Sequence, residues 1–305
     1  MQKTVPVRVP ENAHILIYNE TGGFKAENEE SARKRDERKN VSALDERPNP
    51  WYTKSGTFFS NRKQPGAVMS TKLRYQRVLL KISGEALKGG REFGYDPAAV
   101  EATVARIAEA RELGVQIALV VGAGNIWRGG SAVGMDRVTA DHMGMLGTVM
   151  NALRLKDAFR KANIPVNVHA SSDLRPFAPR FDRDAALDQL SRGEIVIYAG
   201  GTGCPFFTTD TTAALRALES DCQALVKATK VNGIYTADPM KDPTAKKFDE
   251  LSFRQAIEGH YKIMDAAAFS LCADNDLAIV VCKFEEPGAL GRVLTGDFSA
   301  GTIVS

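Results

Sequence analysis

The chain has 305 residues, 44% of them hydrophobic and 25% charged, which is ample apolar material for a sizeable core in one large domain or two. Forty basic residues against 37 acidic ones leave a net charge of +3, too balanced to argue for nucleic acid or an anionic membrane as a partner. Four widely spaced cysteines, Cys204, Cys222, Cys272 and Cys282, form no Cys-x-x-Cys pair, so a disulfide framework or zinc site is not expected and reduced thiols are.

Residues 1–73 carry little patterned hydrophobicity. The run from Arg33 to Lys39 is uninterrupted charge, and Arg47-Pro48-Asn49-Pro50 supplies turn formers. Such a segment cannot bury enough apolar surface to offset its ordering entropy, so a disordered extension is expected, with a tail that binds RNA or a partner as the alternative. Met69, just before the first strong strand, is a candidate start. The apolar run Ile15-Leu16-Ile17-Tyr18 is too short for a signal sequence, and Glu11, Glu20, Glu27, Glu29 and Glu30 disfavour a mitochondrial presequence. No stretch approaches the roughly 20 apolar residues that cross a bilayer. The expected setting is cytoplasmic.

From residue 74 onward the pattern is regular. Val78 to Ser83 reads as a strand ended by Gly84; a helix follows from Asp96 and Pro97 to Gly114, and a second buried strand runs from Val115 to Val121. A long helix is predicted from about Asp141 to Ala162, with His142, Leu146, Val149 and Leu153 on one face. Strands are predicted at 166–169, 195–199, 224–229 and 278–282, with helices at 183–192, 210–218, 253–259 and 265–274 and a turn at Asn232-Gly233. This alternation predicts an α/β fold, an αβα sandwich with a mostly parallel central sheet, occupying 74–305. Ligands in such sheets bind beyond the carboxyl ends of the strands, where the glycine-rich stretches fall.

Four segments at those ends carry the chemistry. Lys81, flanked by apolar strand residues and followed by Ile82, Ser83 and Gly84, either snorkels to the strand end or joins free N–H groups in an anion cradle; no Gly-x-x-x-x-Gly-Lys loop occurs. Gly122-Ala123-Gly124-Asn125-Ile126-Trp127-Arg128-Gly129-Gly130 combines close backbone approach with the planar fork of Arg128, suited to phosphate oxygens. Gly200 to Asp210 puts Thr208, Thr209 and Asp210 at a helix start. Helix capping is the plain alternative there, but it leaves the glycines and Phe206-Phe207 unexplained. Lys227 to Pro239 gathers cations, Tyr235 and Asp238 around a turn, the parts needed to hold a base and ribose, and also the parts of an ordinary surface hairpin. Basic residues in phosphate-compatible loops with few candidate nucleophiles suggest phosphoryl transfer, which depends on positioning and charge neutralisation. His14, His142, His169 and His260 stand beside no Ser or Cys motif of a hydrolase.

Together the stretches LLKISGEAL (79–87), VVGAGNIWRG (120–129), ADHMGMLGTVMNAL (140–153), GTGCPFFTTD (201–210), KATKVNGIYTADP (227–239) and Gly301-Thr302 resemble the bacterial uridylate (UMP) kinases of the amino acid kinase superfamily, in order from about Tyr75 to Ser305. The resemblance implies a sheet of about eight strands and a homohexamer that phosphorylates UMP to UDP in pyrimidine biosynthesis, with ATP and Mg2+ as cosubstrate and cofactor, activated by GTP and inhibited by UTP. By position it implies Lys81, Ile82, Ser83, Gly84, Gly124, Arg128, Thr229, Tyr235 and Asp238 for ATP. It implies Ala123, Asp141, Thr202, Gly203, Cys204, Pro205, Phe206, Phe207, Thr208 and Thr209 for UMP. Lys81, Arg128 and Asp210 would be catalytic, and the loop Gly89, Gly90, Arg91, Glu92, Phe93 and Gly94 would be linked to GTP activation; no residue is assigned to hold a metal, and neither nucleic acid nor membrane is expected. Three positions depart from the family: Ala123 stands in place of a glycine, Cys204 replaces an asparagine that could hydrogen-bond the base, and Asn232 stands where aspartate is common. The competing readings are a kinase of the same fold acting on a carboxylate or carbamate, and a non-catalytic ATP-binding protein.

Overall fold

The computed structural model describes residues 15–18, 24–27, 72–128 and 134–305. The chain divides into two units, Met1–Ala67 and Val68–Ser305. In the first, strands β1 (Ile15–Tyr18) and β2 (Phe24–Glu27) pair antiparallel. The rest of the expected extension, including the charge run, lies outside the described residues.

In the second unit the alternation of strand and helix is as the sequence implies. An eight-stranded sheet runs in the order β10 (Glu250–Leu251), β12 (Gly301–Val304), β11 (Ala278–Lys283), β7 (Ala224–Thr229), β3 (Arg77–Ile82), β4 (Gln116–Val121), β6 (Ile195–Ala199), β5 (Val166–Ala170). Its pairings are parallel except that β12 runs against β11. A separate short hairpin pairs β8 (Ile234–Tyr235) with β9 (Lys247–Phe248).

Period-two alternation gives the sheet two apolar faces and the unit two cores. Leu80, Ile82, Leu119, Val121 and Ile197 pack against α1 (Pro97–Glu112), α2 (Arg137–Lys161) and α7 (Ala289–Thr295). Leu79, Ala118, Val120, Leu225 and Ile279 face α3 (Arg183–Ser191), α4 (Thr209–Glu219) and α6 (Ala266–Ala273) instead. Each fully buried Leu or Ile stabilises the fold by roughly 1.5–3 kcal/mol, and these strands contribute several each. A short helix, α5 (Phe253–Glu258), follows β10 and is set by a capping box between Ser252 and Gln255.

Helix ends follow local chemistry. Asp96 accepts from Ala98 N at 3.0 Å with Pro97 in the first turn, and Gly114 takes the left-handed conformation (φ 91) just past the end of α1. The long helix starts four residues before the expected Asp141, because Asp136 caps it by accepting from Thr139 N at 2.9 Å. Its apolar stripe also differs from expectation. The buried face is Gly147, Asn151, Ala152, Leu155 and Phe159, whereas His142 and Leu146 are exposed along with Met143 and Met150. Val149 of the expected stripe is buried as well, so the face that meets the sheet combines large residues with the small Gly147 and Ala152, and only its first turns differ from expectation.

Candidate active site

Parallel pairing places Lys81 of β3 beside Lys227 of β7, both directed to the α4 side of the sheet. Residue 210, in the first turn of α4, meets them. Asp210 Oδ1 lies 2.6 Å from Lys81 Nζ and Oδ2 lies 2.7 Å from Lys227 Nζ. The three side chains are only 14%, 18% and 12% exposed for Lys81, Lys227 and Asp210, so the ion pairs are little screened. Burial alone would raise the carboxyl pKa. The charge of Lys81, and then that of Lys227, more than offsets it, holding Asp210 below the usual carboxylate value. Lys227 also donates to Ile263 O at 2.6 Å, which fixes its direction. Two ammoniums against one carboxylate leave one net positive charge in a partly dry site at the strand ends, suited to an anion.

The glycine loops lie beside this cluster. A Cβ on Gly84 would overlap Gly122 O and Asn125 Oδ1, so only glycine allows the two loops to touch, and Gly122 N donates to Ile82 O at 2.9 Å. A buried pair, Asn125 and Asn151, locks the arrangement. Asn151 Nδ2 donates to Gly122 O (2.7 Å) and Asn125 Oδ1 (2.8 Å), and Asn125 Nδ2 donates to Asn151 Oδ1 (3.1 Å) and Gly94 O (3.0 Å). Gly94 N returns a bond to Asn125 O at 2.7 Å, tying the 89–94 loop to the second glycine loop.

Arg128 is not beside Lys81 and Asp210. Its guanidinium pairs with Glu85, whose other oxygen lies 3.6 Å from Lys230 Nζ. Gly129 and Gly130, which close this loop in the sequence, lie outside the described residues.

On one side of the cluster is a cleft of about 160 Å3 walled by Ala123, Asp141, Thr202, Phe207, Thr208 and Thr209. Asp141 Oδ2 accepts from Phe206 N at 2.8 Å and from Arg137 Nε at 2.9 Å. Desolvation works against the Asp141 charge, but these two donors prevail and lower its pKa. The Phe206 bond matters because Phe206 has φ 71, a conformation that costs a bulky residue about 1–3 kcal/mol unless neighbours hold it. Of the other expected residues, Gly203 packs on Ser171, Cys204 is exposed and bonded through its backbone to Thr202, and neither it nor Pro205 walls the cleft. The Ala123 methyl is accommodated by Gly147, where a Cβ would come within 2.9 Å of it.

On the other side Thr229, Tyr235, Asp238 and Ile263 line a larger cleft of about 650 Å3. Its hairpin is pinned by the buried Thr302, which accepts from Ile234 N at 2.8 Å and donates to Phe248 O. Tyr235 OH is hydrogen-bonded to Asn232.

The sequence pattern of the Amino acid kinase family matches residues 76–283, about two thirds of the chain. The chain belongs to the amino acid kinase family. Among solved structures it is similar to a UMP kinase from Bacillus anthracis (35% identity, 76% of this chain and 96% of that one, TM-score 0.73). A UMP kinase from Ureaplasma parvum matches at 32% identity over 76% of this chain and all of that one (100%), with a TM-score of 0.72. A uridylate kinase from Archaeoglobus fulgidus matches at 25% identity over 75% and 99% of the two chains, with a TM-score of 0.56.

Two functional features of this amino acid kinase fold escaped the sequence. Lys227 was visible only as one of several cations; its register opposite Lys81 is the missing signal, and it needs the strand pairing. Asp265 accepts from Thr208 Oγ1 (2.5 Å) and Thr211 Oγ1 (3.0 Å) while capping α6, so it ties the start of α4 to the segment between Ile263 and α6. Burial pushes the thiols of Cys222, Cys272 and Cys282 up to about 12, which makes them inert. Among the described residues no cluster of His, Cys, Asp or Glu could hold a metal ion, and no helix is long and apolar enough to cross a membrane.

Proposed function

We propose that this protein transfers the γ-phosphate of ATP to UMP by direct in-line displacement, serving pyrimidine nucleotide biosynthesis in the cytoplasm. The observation that carries this is the Lys81–Asp210–Lys227 cluster, with Thr209 next to Asp210 in the wall of one cleft and Ile263, hydrogen-bonded to Lys227, in the wall of a larger one. The smaller cleft, with Asp141 and the threonines of 202–209, suits a nucleoside monophosphate. The larger, with Thr229, Tyr235 and Asp238, suits the nucleoside of ATP. The choice of UMP rests on the activities named for the Bacillus and Ureaplasma proteins.

In this mechanism an oxygen of the UMP phosphate attacks the γ-phosphorus while the ADP oxygen leaves opposite. Lys81 and Lys227 neutralise the charge spread over the equatorial oxygens, and Asp210 holds both ammoniums at fixed positions. Asp210 is a poor phosphoryl acceptor, because each of its oxygens already faces an ammonium; this supports transfer without a phosphoenzyme. Magnesium would arrive with ATP and would supply charge neutralisation; both Asp210 oxygens face an ammonium, so Asp210 would not be its ligand in this arrangement. Arg128 would leave Glu85 to reach the phosphates. Asp141 keeps its second oxygen for a ribose hydroxyl, and the exposed Phe206 and Phe207 offer faces to a flat base.

A homohexamer regulated by GTP and UTP belongs to the same proposal. Its support here is the exposed apolar row Met143, Leu146 and Met150 on α2, which assembly would cover, and the Gly94–Asn125 bonds that couple the 89–94 loop to the ATP-side glycines. A coupled assay of ADP release with UMP, CMP, dUMP and acetylglutamate tests the activity. Release with UMP well above the others is expected. Preference for acetylglutamate, or no release with any acceptor, overturns it.

A further inference from the structure

A third cavity, of about 400 Å3, lies on the α1 side of the sheet, opposite the cleft that holds Tyr235 and Asp238. Thr229, at the end of β7, borders both. The size is within the range of small-ligand sites; Ile82, Ser83 and Thr229 on its rim belong to the set implied for ATP, but its α1 side, with Lys88, Ala99, Ala102, Arg106 and Phe284, is assigned to neither substrate of the proposed reaction. Its walls have a distinct chemistry. Ala86, Ala99, Ala102 and Ala228 bring four short side chains to the surface, with the buried ring of Phe284 beside them. Short side chains make a smooth wall, which complements a flat body better than a branched one.

The charges in the same cavity are unbalanced in a useful way. Lys88 donates to Glu92 O at 3.2 Å, and Arg106 donates to Glu285 O at 3.1 Å while lying 5.7 Å over the Phe284 ring. Both bonds go to backbone carbonyls, and among the described residues neither cation meets a carboxylate within ion-pair range. Both side chains are half-buried. The carboxylate of Glu85, which also lines the cavity, is already engaged by Arg128 and Lys230, and Glu285 is exposed at the rim. Two partly desolvated cations without a counter-charge beside an apolar wall call for an anion with a ring attached.

We propose that this cavity is a second ligand site, for a compact planar anion: one aromatic or heterocyclic ring system bearing a carboxylate or a phosphate, held by Lys88 and Arg106 with the ring on the alanine wall. The occupant would lie against the back of the 83–86 segment and beside Glu85, the residue that holds Arg128.

The test uses the full chain with AMP-PNP and UMP at saturation, so that the active-site clefts are filled. Salicylate and phenyl phosphate are titrated as probes by ligand-observed NMR and calorimetry; the tighter of the two identifies the anionic group. At least one is expected to bind at a single site. Arg106→Glu and Lys88→Glu should each weaken it by at least about tenfold, the scale of one lost charge-assisted hydrogen bond. Ala102→Phe should abolish binding by filling the wall, with UMP turnover retained. Should Ala102→Phe fail to fold, the two charge reversals still decide. Binding of neither probe, binding unchanged by both reversals, or binding lost when AMP-PNP and UMP are present overturns the proposal.

Discussion

At the scale of single residues, the cluster around Asp210 sets the sharpest expectations. Lys81→Met and Lys227→Met each remove one of two charges facing the transferred group. Each should lower kcat by about 10²–10³-fold or more while leaving UMP affinity largely intact, as measured by steady-state kinetics and calorimetry. Equal loss from both substitutions would show that Lys227, which the sequence did not single out, shares the task with Lys81. Asp210 also makes stability depend on pH. Its folded-state pKa is depressed, so the stabilisation is fully present above the ordinary carboxylate pKa of about 3.9 and is lost as pH falls through the lower folded value. Thermal melting should therefore fall steeply below about pH 4 in the parent and less steeply in Asp210→Asn, measured against the same buffer series. Asp141→Ala should act differently from the lysine variants. It frees Phe206 from its left-handed turn and should raise the KM for UMP more than it lowers kcat.

At the scale of elements, two buried hydrogen-bonding devices hold the loops to which nucleotide binding is proposed. Asn151→Leu on α2 removes the partners of Gly122 O and Asn125 Oδ1, and should cost about 1–3 kcal/mol for each group left unsatisfied, read by urea denaturation. Thr302→Val removes the bond that pins the β8–β9 hairpin. It should raise the KM for ATP with little change in the KM for UMP, because the hairpin lines only the larger cleft. The strands and most helix limits were legible in the sequence, since apolar runs, Asp96-Pro97 and Gly114 are local signals. The core face of α2 was legible only in part: Val149 is buried and Leu153 packs on the same core as expected, but His142 and Leu146 are exposed, and the sheet also takes Gly147, Asn151 and Ala152, where close approach to Ala123 and Gly122 is needed. The glycine loops were legible as cradles. What joins them, a pair of asparagines 26 residues apart, was not, because nothing local marks the partner of a buried amide.

At the scale of the whole molecule, α2 carries Met143, Leu146 and Met150 exposed on the side away from the sheet. If that face is covered in an assembly, Leu146→Glu should reduce the mass measured by light scattering while the melting of the isolated fold changes little, because the residue is 57% exposed here. The acceptor identity was legible only through resemblance. Lysines at strand ends state that phosphate is handled; they do not state which base accompanies it.

Lys81 and Lys227 are register partners on neighbouring parallel strands, so their backbone spacing is set by the pairing of β3 and β7 and does not adjust to a new substrate. The cleft proposed for the acceptor, by contrast, has one wall on α2, with Asp141, and the other on a loop and a helix start that carry Thr202, Phe207, Thr208 and Thr209. The molecule therefore separates a rigid electrostatic seat from a replaceable recognition loop. An exchange of residues 202–207 would be the economical route to a different acceptor, whether made by evolution or in the laboratory, since it would leave the seat untouched.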